Sequence, residues 1–199
     1  AGKMLEIHEN SVYDVFNHVA GKLCIFRDVT VERDLEKQIR HSSNTDFLTG
    51  LYNRRCFYQY IHNNRGSRTV SLMYIDLDRF KEVNDTYGHK VGDAVLVHTA
   101  DVLRQLFRDD FVARLGGDEF LVVRLGRCCV DQLEQEAEAF LKEMKTAFMA
   151  AEQTVSLSAS VGIAQSSDPM VDIDALLQRS DQALYQAKKA GRSRYCVYR

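Results

Sequence analysis

The sequence of 199 residues is long enough for one globular domain with a short addition. Its 45% apolar and 27% charged residues exclude a wholly disordered chain. The 26 basic and 28 acidic side chains give a net charge of −2, which argues against a polybasic protein that binds nucleic acid or an anionic membrane. No apolar run approaches the length of a bilayer span, so no membrane segment is expected within this sequence.

The five cysteines indicate reduced thiols in the cytoplasm. Their number is odd and none forms a CxxC pair, which disfavours a disulfide framework or a zinc site. The sequence opens abruptly with Ala1-Gly2-Lys3. We therefore expect a fragment of a longer protein, which as a whole could be anchored to a membrane.

The first 45 residues are expected to form a strand and then a helix. Residues 23–26 are predicted to be a strand after the turn at Gly21. Val31, Leu35 and Ile39 recur at helical spacing among charged residues, which predicts an amphipathic helix. This helix either packs on its own domain or forms a coiled-coil linker between two protomers, and one short helix leaves both possibilities open.

From residue 46 onward, helices and strands are predicted to alternate, which is typical of an α/β or α+β fold with one central sheet. The run 70–75 is almost continuously apolar, as in a strand covered on both faces. The remaining predicted elements are helices at 53–64 (capped by Asn53), 79–87 and 91–107, a glycine hairpin of strands 111–115 and 120–125, a helix with apolar residues from 133 to 148, a strand over 155–163, a helix over 173–187 and a strand over 195–198.

Acidic residues collect at the ends of two predicted strands. Asp76 and Asp78 follow the buried strand 70–75, and Asp118 and Glu119 lie in the glycine hairpin. If the two strands are neighbours, these carboxylates converge and repel one another unless a cation neutralises them. Hard divalent metals such as Mg²⁺ take such oxygen ligands together with phosphates. The alternative is a helix cap at Asp78 and ordinary turn polarity in the hairpin.

Basic residues supply a candidate site for anions. Lys81 lies one turn after Asp78, and Lys188 and Arg192 are four residues apart at the end of the last predicted helix. The alternative is a solvated helix end, where cations suit the helix dipole. The sequence contains neither a GxxxxGK[ST] loop nor a GxGxxG motif, which disfavours P-loop enzymes and dinucleotide-binding folds.

Four ordered blocks of the sequence carry a family resemblance. Residues 114–120 read RLGGDEF, which contains the GGDEF signature and strongly resembles the GGDEF-domain diguanylate cyclases of bacterial signalling. The block DFLTGLYNRR at 46–55 resembles the opening of that domain. The blocks at 76–93 and 181–192 resemble its second and last motifs. Together they cover residues 46–199, nearly the whole predicted globular part.

The resemblance implies a palm-like central sheet flanked by helices and related to nucleotidyl cyclases. It also implies a reaction in which two GTP condense to cyclic di-GMP and two pyrophosphates. Each protomer would hold one GTP, so the productive unit would be a two-fold homodimer. Two divalent cations, Mg²⁺ or Mn²⁺, would serve each half-site.

The resemblance assigns roles to particular residues. Asp76 would bind both metal ions, the carbonyl of Leu77 one of them, and Glu119 would be a further ligand. Asp118 would be a metal ligand and the candidate general base for the ribose 3′-hydroxyl. The remaining assignments are Asn84 and Asp93 on the guanine edge, His89 close to the nucleotide, Lys81 on the phosphates in the transition state, Lys188 and Arg192 on the β- and γ-phosphates, and Gly116 and Gly117 allowing close approach of the backbone.

One departure concerns regulation by the product. Many such cyclases carry an inhibitory RxxD site just before the signature. Here Asp110 matches its aspartate, but Phe107 holds the arginine position and Arg108 is one residue out of register. We therefore predict weak or absent product inhibition through this site. A smaller departure is Ser193, where asparagine is common in the family.

The amino-terminal residues carry a second, shorter resemblance. Residues 21–33 resemble the last strand and exit of a PAS sensor domain. The expected organisation is therefore a PAS remnant at 1–29, a linker helix at 30–45 and a GGDEF domain at 46–199. Two alternatives to an active cyclase stay open: a catalytically silent GGDEF module that binds GTP or a protein partner, and a different nucleotidyl cyclase with a mixed or adenine product.

Overall fold

The computed structural model describes residues 5–13, 15–31, 44–146, 148–150 and 153–199. The chain divides into two compact units, Ala1–Ser43 and Asn44–Arg199. Most of the predicted linker helix at 30–45 lies outside the described residues, so that helix stays a prediction. No helix within the described ranges is long and apolar enough to cross a membrane.

The first unit contains an antiparallel hairpin of β1 (Leu5–Tyr13) and β2 (Val19–Asp28), with Leu5 opposite Asp28. The predicted strand at 23–26 is confirmed and is longer than expected. Apolar side chains are exposed on both faces, including Ile7 and Phe26 on one and Leu23 and Ile25 on the other. The assignment of this segment to a PAS domain stays a prediction.

The second unit is built around a mixed sheet of six strands. The strands are β3 (Tyr52–Asn53), β4 (Val70–Leu77), β5 (Phe111–Gly116), β6 (Glu119–Leu125), β7 (Phe148–Ala150), β8 (Gln153–Val155), β9 (Ala159–Ser166) and β10 (Tyr195–Val197). The helices are α1 (Arg54–Asn64), α2 (Phe80–Tyr87), α3 (His89–Leu106), α4 (Val130–Met144) and α5 (Ile173–Lys189). The strand order of the sheet is β10-β9-β4-β6-β5-β3, and β7 pairs with β8 in a separate two-stranded sheet.

The central sheet is covered by helices on both faces, which confirms the predicted α/β fold. Met73 and Ile75 of β4 belong to an apolar core shared with α3 and α4, whereas Leu72 and Tyr74 belong to a second core shared with α1 and α5. A strand with helices on both sides must be apolar on both sides. This explains the nearly continuous apolar run that the sequence shows at 70–75.

Local signals predicted several element ends correctly. Asn53 caps α1, because its side-chain oxygen accepts a hydrogen bond from the Cys56 N–H at 2.9 Å. The predicted helix reaching residue 148 is wrong: α4 ends at Met144, and Phe148 belongs to β7.

The single long strand predicted over 155–163 is also wrong. The chain forms β8, which pairs with β7 in the separate two-stranded sheet, has no strand at residues 156–158, and then enters the central sheet as β9. In that break the Ser158 carbonyl accepts the Asp78 N–H at 2.8 Å instead of continuing a strand ladder.

Helix α5 packs unusually close to the sheet. A Cβ at Gly162 of β9 would lie 2.0 Å from the Ser180 carbonyl oxygen and 2.3 Å from the Leu184 nitrogen. Only glycine permits this approach. The close packing fixes α5 across the sheet, and the carboxyl end of the helix reaches the end of β4.

Candidate active site

The pairing of β4 with β6 gathers the acidic residues that the sequence singled out. The strands are antiparallel, with Asp76 directly opposite Glu119. The Leu77 N–H donates a hydrogen bond to the Asp118 carbonyl at 3.3 Å. Residues opposite one another in a ladder project to the same face of a sheet. The predicted convergence of Asp76 with the signature hairpin is therefore confirmed.

Asp76 lies in an electrostatically unfavourable position. Burial raises the pKa of its carboxyl, and the charges of Asp118 and Glu119 raise it further. A hydrogen bond and ion pair from Lys188 of α5, with Nζ 2.8 Å from Oδ1, act against that rise but do not cancel it. The ionised form of Asp76 is thus disfavoured, and additional positive charge would stabilise it.

The donor chemistry at this end of the sheet fits a hard divalent cation. Carboxylates of Asp76, Asp118 and Glu119 and the carbonyl of Leu77 are all oxygen donors. Among the residues that the structure describes, no three acidic, histidine or cysteine side chains lie close enough together to hold a metal ion. Asp76 pairs with Lys188, and Glu119 lies 3.9 Å from Arg54. The assignment of these residues as metal ligands stays a prediction.

The turn of the signature hairpin is held by Arg114, a residue for which the sequence predicts no role. Gly116 and Gly117 have φ values of 149° and 52°, which residues with a side chain rarely adopt. Arg114 donates to the Gly117 carbonyl through Nε (2.9 Å) and Nη2 (2.7 Å), and through Nη1 to Asp46 at 2.9 Å. The turn is thereby tied to the first residue of the opening motif.

Asp46 is itself fixed by several donors. It accepts the Thr49 N–H at 2.8 Å and the Thr49 hydroxyl at 2.6 Å, besides Arg114. Burial raises the pKa of Asp46, but these hydrogen bonds outweigh burial and the pKa lies below its ordinary value. Both residues stand in the motif blocks, which is the signal that could have identified them.

Helices α2 and α3 place the residues expected to recognise guanine. A Cβ at Gly92 would lie only 1.9 Å from Oδ1 of Asn84, so the Asn84 amide packs directly on the first turns of α3. Asp93 follows Gly92 on the same helix, and His89 begins it. Asp93 and His89 are exposed, as is Lys81 in the first turn of α2.

The segment after α5 has an unusual backbone. Gly191, Arg192 and Ser193 all have positive φ, at 111°, 62° and 51°. The Arg192 N–H donates to the Ala187 carbonyl at 3.1 Å, which closes the helix end. In this turn Arg192 follows Gly191 directly and stands four residues after Lys188.

Asp78 does not cap a helix, so that alternative for Asp78 is wrong. Helix α2 begins at Phe80, and its capping position, Arg79, makes no side-chain hydrogen bond to the helix. Asp78 instead accepts hydrogen bonds from Ser158, Ser160 and Ser193. Its carboxylate therefore joins parts of the chain that are distant in sequence.

The region of the degenerate product site is occupied by internal contacts. Phe107 is buried in the core, 2% exposed. The Asp110 carboxylate accepts two hydrogen bonds from Arg124, at 2.8 Å from Nε and 2.5 Å from Nη2. Arg124 Nη1 also donates to Glu136 at 3.1 Å. Asp110 is thus engaged by a neighbouring strand.

Comparison with known proteins assigns the family. The fold and the acidic hairpin define the GGDEF class, and the family model "Diguanylate cyclase, GGDEF domain" matches residues 43–194. The chain belongs to this family. It is 38% identical to the diguanylate cyclase DgcM of Escherichia coli over 178 residues, covering 86% of this chain and 42% of DgcM. It is also 38% identical to the cyclic di-GMP phosphodiesterase PdeR of the same organism, covering 88% of this chain and 27% of PdeR.

Solved structures agree with the family assignment. The coiled coil and GGDEF domain of DgcB from Caulobacter crescentus, in complex with c-di-GMP, align with a TM-score of 0.78 and 28% identity, over 85% of this chain and 93% of that one. The diguanylate cyclase SiaD of Pseudomonas aeruginosa aligns with a TM-score of 0.73 and 32% identity, over 84% and 66%. The chain spans only about a quarter to two fifths of the length of DgcM and PdeR.

Proposed function

We propose that this chain is an active diguanylate cyclase that condenses two GTP into cyclic di-GMP and two pyrophosphates. The observation that carries the proposal is the position of Asp76 opposite Glu119, beside the intact signature and paired with Lys188. An acidic cluster with a basic group at its edge suits a cation and a triphosphate. Relatives named as cyclases support the same reaction.

Each part of the site has a distinct task in this proposal. Asp118 accepts the proton of the ribose 3′-hydroxyl, and Lys81, Lys188 and Arg192 hold the phosphates on which negative charge develops. Asn84 and Asp93 offer an amide and a carboxylate to the guanine edge, with His89 nearby. Gly116 and Gly117 keep the hairpin backbone open to the nucleotide.

A divalent cation and a second protomer complete the proposal. Asp76, Asp118, Glu119 and the Leu77 carbonyl would hold two Mg²⁺ or Mn²⁺ ions, which when bound would activate the attacking hydroxyl and neutralise the leaving pyrophosphate. Because one chain carries one set of nucleotide-binding residues, two chains must face each other for two reciprocal attacks. Such positioning is worth roughly 7–11 kcal/mol in favourable reactions.

We also propose that the reaction escapes inhibition at the RxxD position and takes place in the cytoplasm. Phe107 is buried and Asp110 is held by Arg124, so neither is offered to a ligand in the way an exposed arginine and aspartate would be. All five cysteines are free thiols, as expected for a reducing compartment.

The direct test is incubation of the chain with GTP and Mg²⁺, followed by chromatography of the products. We expect cyclic di-GMP and two equivalents of pyrophosphate. Asp118→Asn is the matched control, because it keeps the size of the side chain but removes the base, and it should lower the rate by about 10²–10⁴-fold. Sedimentation with and without a non-hydrolysable GTP analogue should show a dimer. Absence of product at protein concentrations that give dimers would refute the proposal.

The second candidate is a catalytically silent GGDEF module. The similarity to PdeR, a relative named as a phosphodiesterase, favours it. This candidate predicts GTP binding by calorimetry without turnover at any protein concentration. A competition assay with ATP separates both candidates from a cyclase with a mixed or adenine product.

A further inference from the structure

Asp78 links the end of β4 to two other parts of the chain. Ser158 Oγ donates to its Oδ2 at 2.9 Å, and Ser160 Oγ donates to its Oδ1 at 2.7 Å. The Ser193 N–H donates to Oδ2 at 3.0 Å. Its own N–H donates to the Ser158 carbonyl at 2.8 Å. Both carboxylate oxygens are therefore used, by partners 80, 82 and 115 residues away.

The turn that Asp78 holds is strained. Arg192 and Ser193 adopt the left-handed region without being glycine, a conformation that residues with a side chain disfavour. Such a conformation persists only where surrounding contacts impose it. The contact from Asp78 to the Ser193 N–H is made by a charged acceptor, and such hydrogen bonds are the strong ones.

The position of Arg192 depends on this turn. Its N–H is bonded to the Ala187 carbonyl on one side, and the next residue is bonded to Asp78 on the other. Beyond them, the Arg194 carbonyl accepts the Val161 N–H at 3.0 Å. If Asp78 were removed, the Ser193 N–H would lose its acceptor and the strained turn could relax. Arg192 would then no longer be held in its present position.

We propose that Asp78 is a positioning residue for the cyclase reaction: it fixes the 191–193 turn so that Arg192 is directed at the GTP phosphates. This inference rests on the proposed function of Arg192. Asp78 contacts serine hydroxyls and a backbone amide, so it acts through the turn and not on the substrate. Its neighbour Asp76 points to a different partner, Lys188.

The first experiment measures the turn itself, independently of activity. Hydrogen exchange of the Ser193 amide should be slow in the wild type and at least tenfold faster in Asp78→Ala. Asp78→Asn retains an oxygen acceptor for this amide and should keep most of the protection. Unchanged protection in Asp78→Ala would overturn the proposal, because the turn would then be held by other contacts.

The second experiment is a double-mutant cycle on the affinity for a non-hydrolysable GTP analogue and on kcat/KM for GTP. Asp78→Ala and Arg192→Ala should each weaken analogue binding by about 10- to 100-fold. The double variant should be weaker than Arg192→Ala by no more than about twofold, because both changes remove the same contact. Asp78→Asn should recover most of the loss. Additive losses would overturn the proposal.

Two controls separate the possible failures. Asp174→Ala removes an aspartate that accepts the Tyr58 hydroxyl at 2.8 Å at the other end of α5, and it should leave binding and turnover unchanged. Should Asp78→Ala fail to fold, the double change Ser158→Ala, Ser160→Ala, which keeps Asp78 but removes the two hydroxyls that orient its carboxylate, provides the second variant in the same cycle. If the wild type bound the analogue but made no cyclic di-GMP, the proposed reaction would fail while the cycle on binding still decided the role of Asp78.

Discussion

Two aspartates at opposite ends of the central sheet differ in how far neighbouring positive charge compensates their own buried charge. Asp76, at the end of β4, has a side chain 15% exposed and one basic partner, Lys188. Asp110, just before β5, is 6% exposed and accepts two hydrogen bonds from Arg124, which itself contacts Glu136. The two residues are similar in burial but differ in how completely their charge is compensated.

The difference lies in the neighbours of each carboxylate. Asp76 faces Asp118 and Glu119, which together with burial raise its pKa despite Lys188. Asp110 is held by the planar fork of an arginine, the geometry that matches a carboxylate best. A compensated pair supports structure, whereas uncompensated carboxylates mark a place for further cations and ligands. The product-site aspartate of the family motif has here become part of the structural support.

The largest effect that tests this comparison is expected for Asp76→Asn. Turnover should fall by about 10³-fold or more, because stabilisation of the transition state by a bound cation is worth several kcal/mol. The free energy of unfolding, in contrast, should be higher in this variant than in the wild type at neutral pH. Since the pKa of folded Asp76 is raised above the ordinary 3.8, the folded state holds its proton more tightly. The wild type therefore loses stability as the pH rises above that value, and the asparagine variant is spared this loss.

Urea unfolding of the wild type and of Asp76→Asn, followed across the acidic range and at neutral pH, measures this difference. The variant should become progressively more stable relative to the wild type as the pH rises. Asp101→Asn, which alters an exposed ion pair with Arg104, should change neither stability by more than about 0.5 kcal/mol nor turnover. A variant less stable than the wild type at neutral pH would show that Asp76 is a structural residue like Asp110.

Local patterns predicted the parts of the site that lie within one motif. The buried strand 70–75 and the glycine hairpin could be placed from apolar runs and turn residues, and their adjacency follows from the fold class. The convergence of Asp76 and Glu119 was therefore accessible from sequence. The end of α4 was not, because the helical spacing of apolar residues continues to Phe148 although the chain turns into β7. Tertiary packing overrides propensity in such cases.

The contacts that hold the site in place join residues that are far apart in the sequence and that no sequence pattern links. Asp78 and Ser193 are 115 residues apart, and Arg114 and Asp46 are 68 apart. Nothing in the neighbourhood of Asp78 indicates that serines from β9 and its preceding loop will bind it, and a cap on the following helix was an equally reasonable hypothesis. The same holds for Asp110 and Arg124, whose pairing depends on the register of β5 with β6. Long-range partners such as these require the fold.

Arg124→Ala is expected to have the next largest effect, on stability. It would leave the Asp110 carboxylate buried without its partner, which costs about 3–5 kcal/mol. Urea unfolding at neutral pH measures the loss. At temperatures where the variant is folded, turnover should stay within a few-fold of the wild type, because this pair lies at the opposite end of the sheet. Added cyclic di-GMP should inhibit neither protein through this site.

A paired replacement serves as the control for Arg124. The double variant Arg124→Met, Asp110→Leu removes both members of this pair and should be more stable than Arg124→Ala, since the Asp110 carboxylate no longer remains buried without a partner. Glu136, which also loses Arg124, keeps the hydrogen bond from the Gln132 amide at 3.1 Å. A loss in Arg124→Ala below about 1 kcal/mol would mean that Asp110 is accessible to water. Strong inhibition by cyclic di-GMP that Asp110→Ala abolishes would contradict both the structural role and the predicted absence of a product site.

The smallest effect, and the most selective, is expected for Gly92→Ala. The new Cβ would come within 1.9 Å of Oδ1 of Asn84, so the amide must swing away from its place against Gly92. Because only the end of a side chain moves and alanine favours a helix over glycine by about 1 kcal/mol, the fold should not lose stability. KM for GTP should rise about tenfold and the preference for GTP over ATP should fall, as one neutral hydrogen bond to the base is lost. Steady-state kinetics with both nucleotides measure the change in KM and in nucleotide preference.

Asn84→Ala serves as the control and should raise KM for GTP to the same extent, and the double variant should raise it no further. An unchanged KM in Gly92→Ala would show that Asn84 does not contact the base.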